Sequence, residues 1–204
     1  MKKKIVAAAL ACILCIGVGI GGTLAWLSAE TQVVTNTFTV GDINIELKEH
    51  VYDPAANNGA GALTTALTTT GNSNYKFVPG DELPKDPFVT VKADSEACYL
   101  FIEAIAANNS RDDLNGDIIS WSVDTTIWTP LNGVANVWYK QLGATTTDTD
   151  YSILTGDEVS VNENVTKLMV EEINESQPTL TFQAYAVQSD NVADAAAAWA
   201  IANS

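Results

Sequence analysis

Apolar and polar residues alternate along several stretches of the chain after residue 36, and this two-residue period predicts β-strands. The first stretch covers residues 38–47, where the alternation changes phase at Gly41 and predicts a bulge. Residues 97–107 form the longest stretch and are largely apolar on both faces, which predicts a central strand. Residues 179–188 alternate again and predict the last strand of the chain.

Turn signals separate the other predicted strands. The pair Pro79-Gly80 favours a type II turn, Asn132-Gly133 predicts a hairpin turn between residues 126–129 and 136–140, and the segment Thr155-Gly156-Asp157 predicts a turn between the two strands beside it. The strands predicted in this part of the chain cover residues 87–92, 118–128, 136–140, 148–155 and 158–168.

Two stretches depart from the strand pattern. Residues 53–74 predict a surface excursion, and its length leaves room for a short strand or helix near residues 62–67. Residues 191–202 are rich in alanine and predict a short helix. Asp190 or Asn191 is the expected cap, and the expected apolar stripe consists of Val192, Ala195, Ala196 and Trp199.

About eight strands and one short helix predict an all-β fold, an antiparallel β-sandwich of jelly-roll type.

The N-terminus has a different pattern. Three lysines at positions 2–4 precede an uncharged apolar run over residues 5–22, which is typical of a secretory signal peptide and its signal helix. Small residues suit signal peptidase just before its cut, so cleavage is predicted between Ala25 and Trp26.

Residues 1–25 are thus the predicted signal peptide and residues 26–204 the mature domain. An uncleaved membrane anchor is the alternative interpretation, because the apolar run approaches the length of a spanning helix. The positive-inside rule then keeps the lysines in the cytoplasm in both cases.

Without the signal peptide, the chain has seven basic and 25 acidic residues, which gives a net charge of −18. Such a charge disfavours nucleic acids and anionic lipids as partners.

Candidate chemistry is sparse. His50 is the single histidine and is expected to be hydrogen-bonded or solvent-facing, and no zinc-protease motif is present. Cys98 is the single cysteine of the mature chain and is expected to be a buried, inert thiol, with an intermolecular disulfide as the alternative. Asp113, Asn115 and Asp117 have the alternate spacing of a calcium-binding loop, but the distal bidentate Glu of an EF-hand is missing, so a plain solvated turn is the favoured interpretation. No catalytic residue and no cofactor are predicted.

The signal and the first strand resemble those of the TasA/camelysin family, whose signal peptides are processed by a dedicated SipW-type peptidase. The matching segments are Gly21-Gly-Thr-Leu-Ala25, Trp26-Leu-Ser-Ala-Glu-Thr31 and Asn36-Thr-Phe-Thr-Val-Gly-Asp42, followed by Phe77-Val-Pro-Gly-Asp81, Asp86-Pro-Phe-Val-Thr-Val91 and Ala184-Tyr-Ala-Val-Gln188 with Ala198-Trp199. The resemblance runs along most of the chain, with variable loops between the segments.

The resemblance implies a secreted, non-enzymatic subunit of biofilm-matrix fibres. Its partners would be further copies of the chain, joined head to tail, and the SipW-type peptidase, with membrane contact only through the uncleaved signal. Residues 26–36 would be a donor strand that inserts into the sheet of the next subunit. Trp26 and Leu27 would act as apolar plugs, with Val33 and Val34 as the next pocket-filling side chains. A secreted camelysin-type metallopeptidase and a monomeric surface adhesin or glycan-binding domain are the alternatives.

Overall fold

The computed structural model describes residues 42–204, except residues 73–74, 76–77, 112, 115, 167–168, 170–172 and 174–176. The predicted signal peptide, its cleavage site at Ala25 and Trp26, and the bulge at Gly41 lie outside the described residues. The donor-strand residues Leu27, Val33 and Val34 lie outside them as well. In the described part of the chain, no helix is long and apolar enough to span a lipid bilayer.

The described residues are mostly β-structure with a short C-terminal helix. The strands are β1 (Ile45–Asp53), β2 (Ala62–Thr68), β3 (Glu82–Pro84), β4 (Phe88–Val91), β5 (Cys98–Ala107), β6 (Ile119–Ser120), β7 (Thr129–Pro130), β8 (Val137–Leu142), β9 (Thr149–Ser152), β10 (Glu158–Val161) and β11 (Thr179–Gln188). The helical segments are α1 (Ala56–Gly59), a 3₁₀ turn (Thr155–Asp157) and α2 (Ala195–Ala202).

Antiparallel pairing joins these strands into three sheets within the described chain. Their strand orders are β2-β1-β4-β9, β3-β10-β6 and β11-β5-β8-β7. The first half of β1 pairs with β4 and its second half pairs with β2. The prediction of an all-β, antiparallel fold with a short C-terminal helix is therefore confirmed.

The longest ladder joins β5 to β11. Ten residue pairs follow one another without a shift in register, from Thr179 opposite Ala107 to Gln188 opposite Cys98. Because β8 pairs with the other side of β5, β5 lies inside its sheet. Its apolar residues are buried on both faces, as the sequence predicted: Leu100 and Ile102 on one face, Phe101 on the other.

The two faces of this sheet pack against different cores. One core draws side chains from all three sheets, among them Val89, Ile102, Val159 and Leu180. The other core lies beneath α2 and contains Tyr99, Phe101, Val137, Ala198 and Trp199. A ring of Trp199 stands edge-on against Tyr185, with 5.2 Å between the centroids. A helix of eight residues is only marginally stable by itself. Aromatic contacts to the sheet therefore hold α2 in place.

The cap predicted for the C-terminal helix was wrong. Asp194 is the N-cap, and its carboxylate accepts a hydrogen bond from the Ala197 amide at 2.8 Å. Asn191 instead adopts a left-handed backbone conformation in the turn before the helix. The buried stripe of the helix contains Ala195, Ala198 and Trp199, whereas Ala196, which was expected in it, is exposed.

The strand predicted for residues 118–128 was also wrong over most of its length. Only Ile119 and Ser120 are in a strand. Asp124 ends the extended run, because its side chain accepts from the Thr126 amide and its carbonyl from the Ile127 and Trp128 amides. The aromatic and β-branched residues of this segment serve the core and not a strand. The Trp128 side chain is buried, and its indole N–H donates to the Ser152 carbonyl at 2.7 Å.

Two of the predicted turns are confirmed, and the third is a longer loop than predicted. Gly80 has a positive φ of 81°, and the Asp81 amide donates to the Val78 carbonyl, which confirms a type II turn at Pro79-Gly80. The hairpin β7–β8 is present, but residues 131–136 form a longer loop than the two-residue turn that Asn132-Gly133 predicts. The turn at Thr155–Asp157 is present and carries the chain from one sheet into another.

The excursion at residues 53–74 contains the strand expected near residues 62–67. This strand is β2, and it pairs with the second half of β1. The register shifts once, between His50 opposite Leu67 and Tyr52 opposite Leu63, so β2 is bulged within its length. Strand β1 begins at Ile45 and runs on to Asp53, well past the predicted end at residue 47.

Candidate functional site

The candidate functional site is the outer edge of β11 together with the cavity beside it. In the described residues, β11 pairs with β5 on one side and with no strand on the other. The strand has ten residues, with sequence TLTFQAYAVQ, and carries no charge and no proline. Its ladder with β5 has no bulge. Within the described chain, the N–H and C=O groups on this side of β11 therefore have no partner strand, and such an edge can accept an added strand.

The other sheet edges within the described chain have features that discourage strand addition. Strand β2 is bulged, and β6 and β7 have two residues each. Strand β3 has three residues, including Glu82 and Pro84, and β7 contains Pro130. Strand β9 has four residues, among them the charged Asp150. Short strands, bulges, prolines and charges are the usual protections of an edge, and β11 has none of them.

A cavity of about 490 Å³ lies beside the first residues of β11. Its apolar wall includes Leu47, Leu83, Val159, Leu180 and Phe182. These residues come from all three sheets, so the cavity lies where the sheets meet. Its size falls within the range of roughly 300–1,000 Å³ that is typical of ligand pockets.

A second part of the cavity wall contains a buried ion pair. Lys85 Nζ lies 2.7 Å from Glu49 Oε2, and the two side chains are 12% and 6% exposed. Glu49 is on β1 where the strand passes from β4 to β2, and Lys85 follows β3 directly. Both charges are shielded from water, so each depends on the other for compensation.

Asn72 completes the hydrogen bonding of this wall. Its amide nitrogen donates to Glu49 Oε1 at 2.9 Å and to the His50 carbonyl at 2.8 Å. Its carbonyl oxygen accepts from the Tyr52 amide at 2.8 Å. These hydrogen bonds attach the end of the excursion at residues 53–74 to β1. The side-chain donors and the acceptor of Asn72 are all engaged in them.

Tyr75 adds an unpaired hydroxyl to the same wall. Its ring stacks on Tyr52 with 4.5 Å between centroids, and Lys85 Nζ lies 5.9 Å from its centroid. Among the described residues, its buried hydroxyl has no hydrogen-bond partner. Burial, together with the negative charge of Glu49, raises the pKa of Tyr75, so the hydroxyl remains a donor. The hydroxyl oxygen has almost no accessible surface, so it lies inside the wall and does not face the space of the cavity.

The sequence-predicted candidates for chemistry lie elsewhere. His50 contacts Asp86 through Nδ1, and its ring lies 5.9 Å from Phe88, so it is hydrogen-bonded as expected. Cys98 is fully buried, and burial raises the pKa of its thiol, which agrees with an inert cysteine.

The candidate calcium loop is only partly described. Both carboxylate oxygens of Asp113 accept hydrogen bonds from Arg111, at 2.9 and 3.0 Å, and Asn115 lies outside the described residues. Asp117 is paired with Ser110 in an isolated bridge. No group of three or more His, Cys, Asp or Glu side chains among the described residues is arranged to hold a metal ion.

Comparison of the chain with protein families, curated proteins and solved structures finds no match. The function must therefore be argued from the edge of β11 and the cavity beside it. The sequence gives no indication that Glu49, Asn72, Tyr75 and Lys85 form a group. The only signal available was two charged residues next to predicted strands, which is common in an acidic chain.

Proposed function

We propose that the chain is a secreted, non-enzymatic subunit of extracellular biofilm-matrix fibres, similar to those of the TasA/camelysin family. Signal peptidase of the SipW type cuts between Ala25 and Trp26, and the jelly-roll-like domain then assembles head to tail. The donor strand is residues 26–36 of one copy, and the acceptor is the open edge of β11 in the next. Trp26, Leu27, Val33 and Val34 supply its apolar side chains.

The single observation that carries this proposal is the edge of β11, which no strand of the described chain covers. A regular ten-residue edge invites an added strand, because main-chain hydrogen bonds provide affinity without a matching side-chain sequence. The edge is also uncharged in a chain of net charge −15. Two acidic copies repel one another least where neither presents a charge.

The place where the chain enters the described domain supports a head-to-tail contact. The Asp42 carbonyl accepts from the Glu96 amide, and the Ser189 amide donates to the neighbouring Ala97 carbonyl. Asp42 is therefore near the last residues of β11, whereas the cavity lies beside its first residues, roughly 30 Å away at 3.4 Å per residue. A contact between opposite ends of the domain need not close and can propagate.

Lysine substitutions at two sheet edges test the proposal. Thr181→Lys places a charge on β11, and Thr65→Lys makes the same change at an exposed position of the bulged β2. We expect Thr181→Lys to abolish or slow assembly at least tenfold, measured by light scattering of the mature chain, and Thr65→Lys to leave it nearly unchanged. Equal assembly of both variants would contradict an acceptor at β11.

A further inference from the structure

A lysine, a glutamate and an asparagine meet in the polar wall of the cavity, each from a different part of the chain. Lys85 follows β3, Glu49 is on β1, and Asn72 follows β2. We propose that the side chains of Lys85 and Asn72 react with one another to form an intramolecular isopeptide bond, with the Glu49 carboxylate as the catalytic acid–base group. The bond requires only the folded domain, so it forms whether or not chains assemble into fibres.

One carboxylate connects the two reacting side chains. Lys85 Nζ lies 2.7 Å from Glu49 Oε2, and Asn72 Nδ2 lies 2.9 Å from Glu49 Oε1. Because both nitrogens contact the same carboxylate, the amine and the amide are neighbours before any reaction. Groups that the fold holds side by side react far faster than the same groups free in solution, because their encounter costs no further translational entropy.

Burial favours the uncharged forms that the reaction needs. The side chains of Lys85 and Glu49 are 12% and 6% exposed, and the Tyr75 ring lies 5.9 Å from Lys85 Nζ. A buried charge is costly, so transfer of a proton from the ammonium group to the carboxylate replaces two buried charges by a neutral amine and a neutral acid. Only the neutral amine has the lone pair that attacks a carbonyl carbon.

The side-chain amide of Asn72 is positioned and polarised for attack. Its carbonyl oxygen accepts a hydrogen bond from the Tyr52 backbone amide at 2.8 Å. The same N–H stabilises the oxyanion that forms when an amine adds to Cγ, as the donors of an oxyanion hole do. The amide nitrogen donates to Glu49 and to the His50 carbonyl, so the orientation of the whole group is fixed.

The steps of the reaction balance within these three side chains. Glu49 takes one proton from the Lys85 ammonium group, and Nζ then adds to Cγ of Asn72 to give a tetrahedral intermediate. A second proton passes from Nζ through Glu49 to Nδ2, the Cγ–Nδ2 bond breaks, and ammonia leaves. The ammonia carries away the first proton as ammonium, so Glu49 ends as a carboxylate. No oxidant, reductant or other reactant is consumed.

The bond gives an extracellular chain a covalent cross-link that does not need cysteine. After residue 25 the sequence contains one cysteine, Cys98, so an internal disulfide cannot form in that part of the chain. A bond between residues 72 and 85 joins the end of the excursion at residues 53–74 to the connection between β3 and β4. Like a disulfide, it closes a loop and restricts the unfolded chain.

The intact mass of the mature chain, residues 26–204, tests the proposal without any substitution. We expect a mass about 17 Da below that of the sequence, because one ammonia is lost. After proteolysis, mass spectrometry should find the segments that contain Asn72 and Lys85 as one linked species. The full sequence mass in a chain that urea unfolding shows to be folded would overturn the bond. So would the same mass loss without linked segments, which a succinimide at an Asn-Gly pair produces.

Three variants test the role of each group by the same measurement. Glu49→Gln keeps the size of the side chain but cannot carry the proton, so we expect linkage to be at least a hundredfold slower. Lys85→Arg keeps a positive charge beside Glu49 but removes the nucleophile, so no linkage is expected. Lys92→Arg, at an exposed lysine paired with Glu46, is the matched control and should link fully. Equal linkage in folded Glu49→Gln and in the control would contradict the catalytic role of Glu49.

Discussion

At the scale of single residues, Glu49 is the buried acid on which the polar wall of the cavity depends. Its carboxylate accepts from Asn72 on one oxygen and from Lys85 on the other. Nothing in the sequence distinguishes Glu49 from the acids around it, because its partners lie 23 and 36 residues away. By contrast, the burial of Cys98 was predictable, since apolar strand residues surround it in the sequence.

Removing Lys85 tests how much the fold depends on the ion pair between Glu49 and Lys85. Lys85→Ala leaves the Glu49 carboxylate buried without a counter-charge, so we expect a loss of about 3–5 kcal/mol in the free energy of unfolding. Lys92→Ala is the control, because Lys92 is 29% exposed and pairs with the exposed acids Glu46 and Asp148. Its loss should stay below about 1 kcal/mol. Urea unfolding measures both, and similar losses would show that the cavity wall is solvated.

At the scale of elements, long and regular strands could be predicted and short irregular ones could not. Residues 97–107 and 179–188 showed a clean pattern and form β5 and β11. Residues 118–128 are also rich in β-branched and aromatic residues, but the local hydrogen bonds of Asp124 form a turn instead. Strand β2 was only suspected, because its threonine-rich sequence has no apolar face and its pairing with β1 is long-range.

The cap of α2 gives a test at this scale. Asp194→Ala removes the acceptor for the Ala197 amide, so we expect a loss of about 1 kcal/mol in stability. Asp190→Ala changes an exposed acid in the turn before the helix and should alter stability by less than about 0.5 kcal/mol. A larger loss from Asp190→Ala, measured by thermal or urea unfolding, would place the cap where the sequence pattern suggested.

At the scale of the whole molecule, the candidate site is a product of topology. Among the described strands, none pairs with the outer edge of β11, and this follows from the sheet order, which no local sequence pattern reveals. The cavity combines residues from Leu47 to Phe182, so it exists only when all three sheets are assembled. The acidic charge and the predicted signal were visible in the sequence, and they bear on where the protein works and on which partners it repels.

The central claim is that the segment before residue 37 joins one subunit to the next. Electron microscopy of two purified forms tests it most directly: the mature chain that begins at Trp26, and a truncated chain that begins at Thr37, at equal concentration. We predict filaments from the first form and separate particles from the second, because only the first carries the strand that completes the β11 edge. Filaments of equal number and length from both forms would contradict the claim.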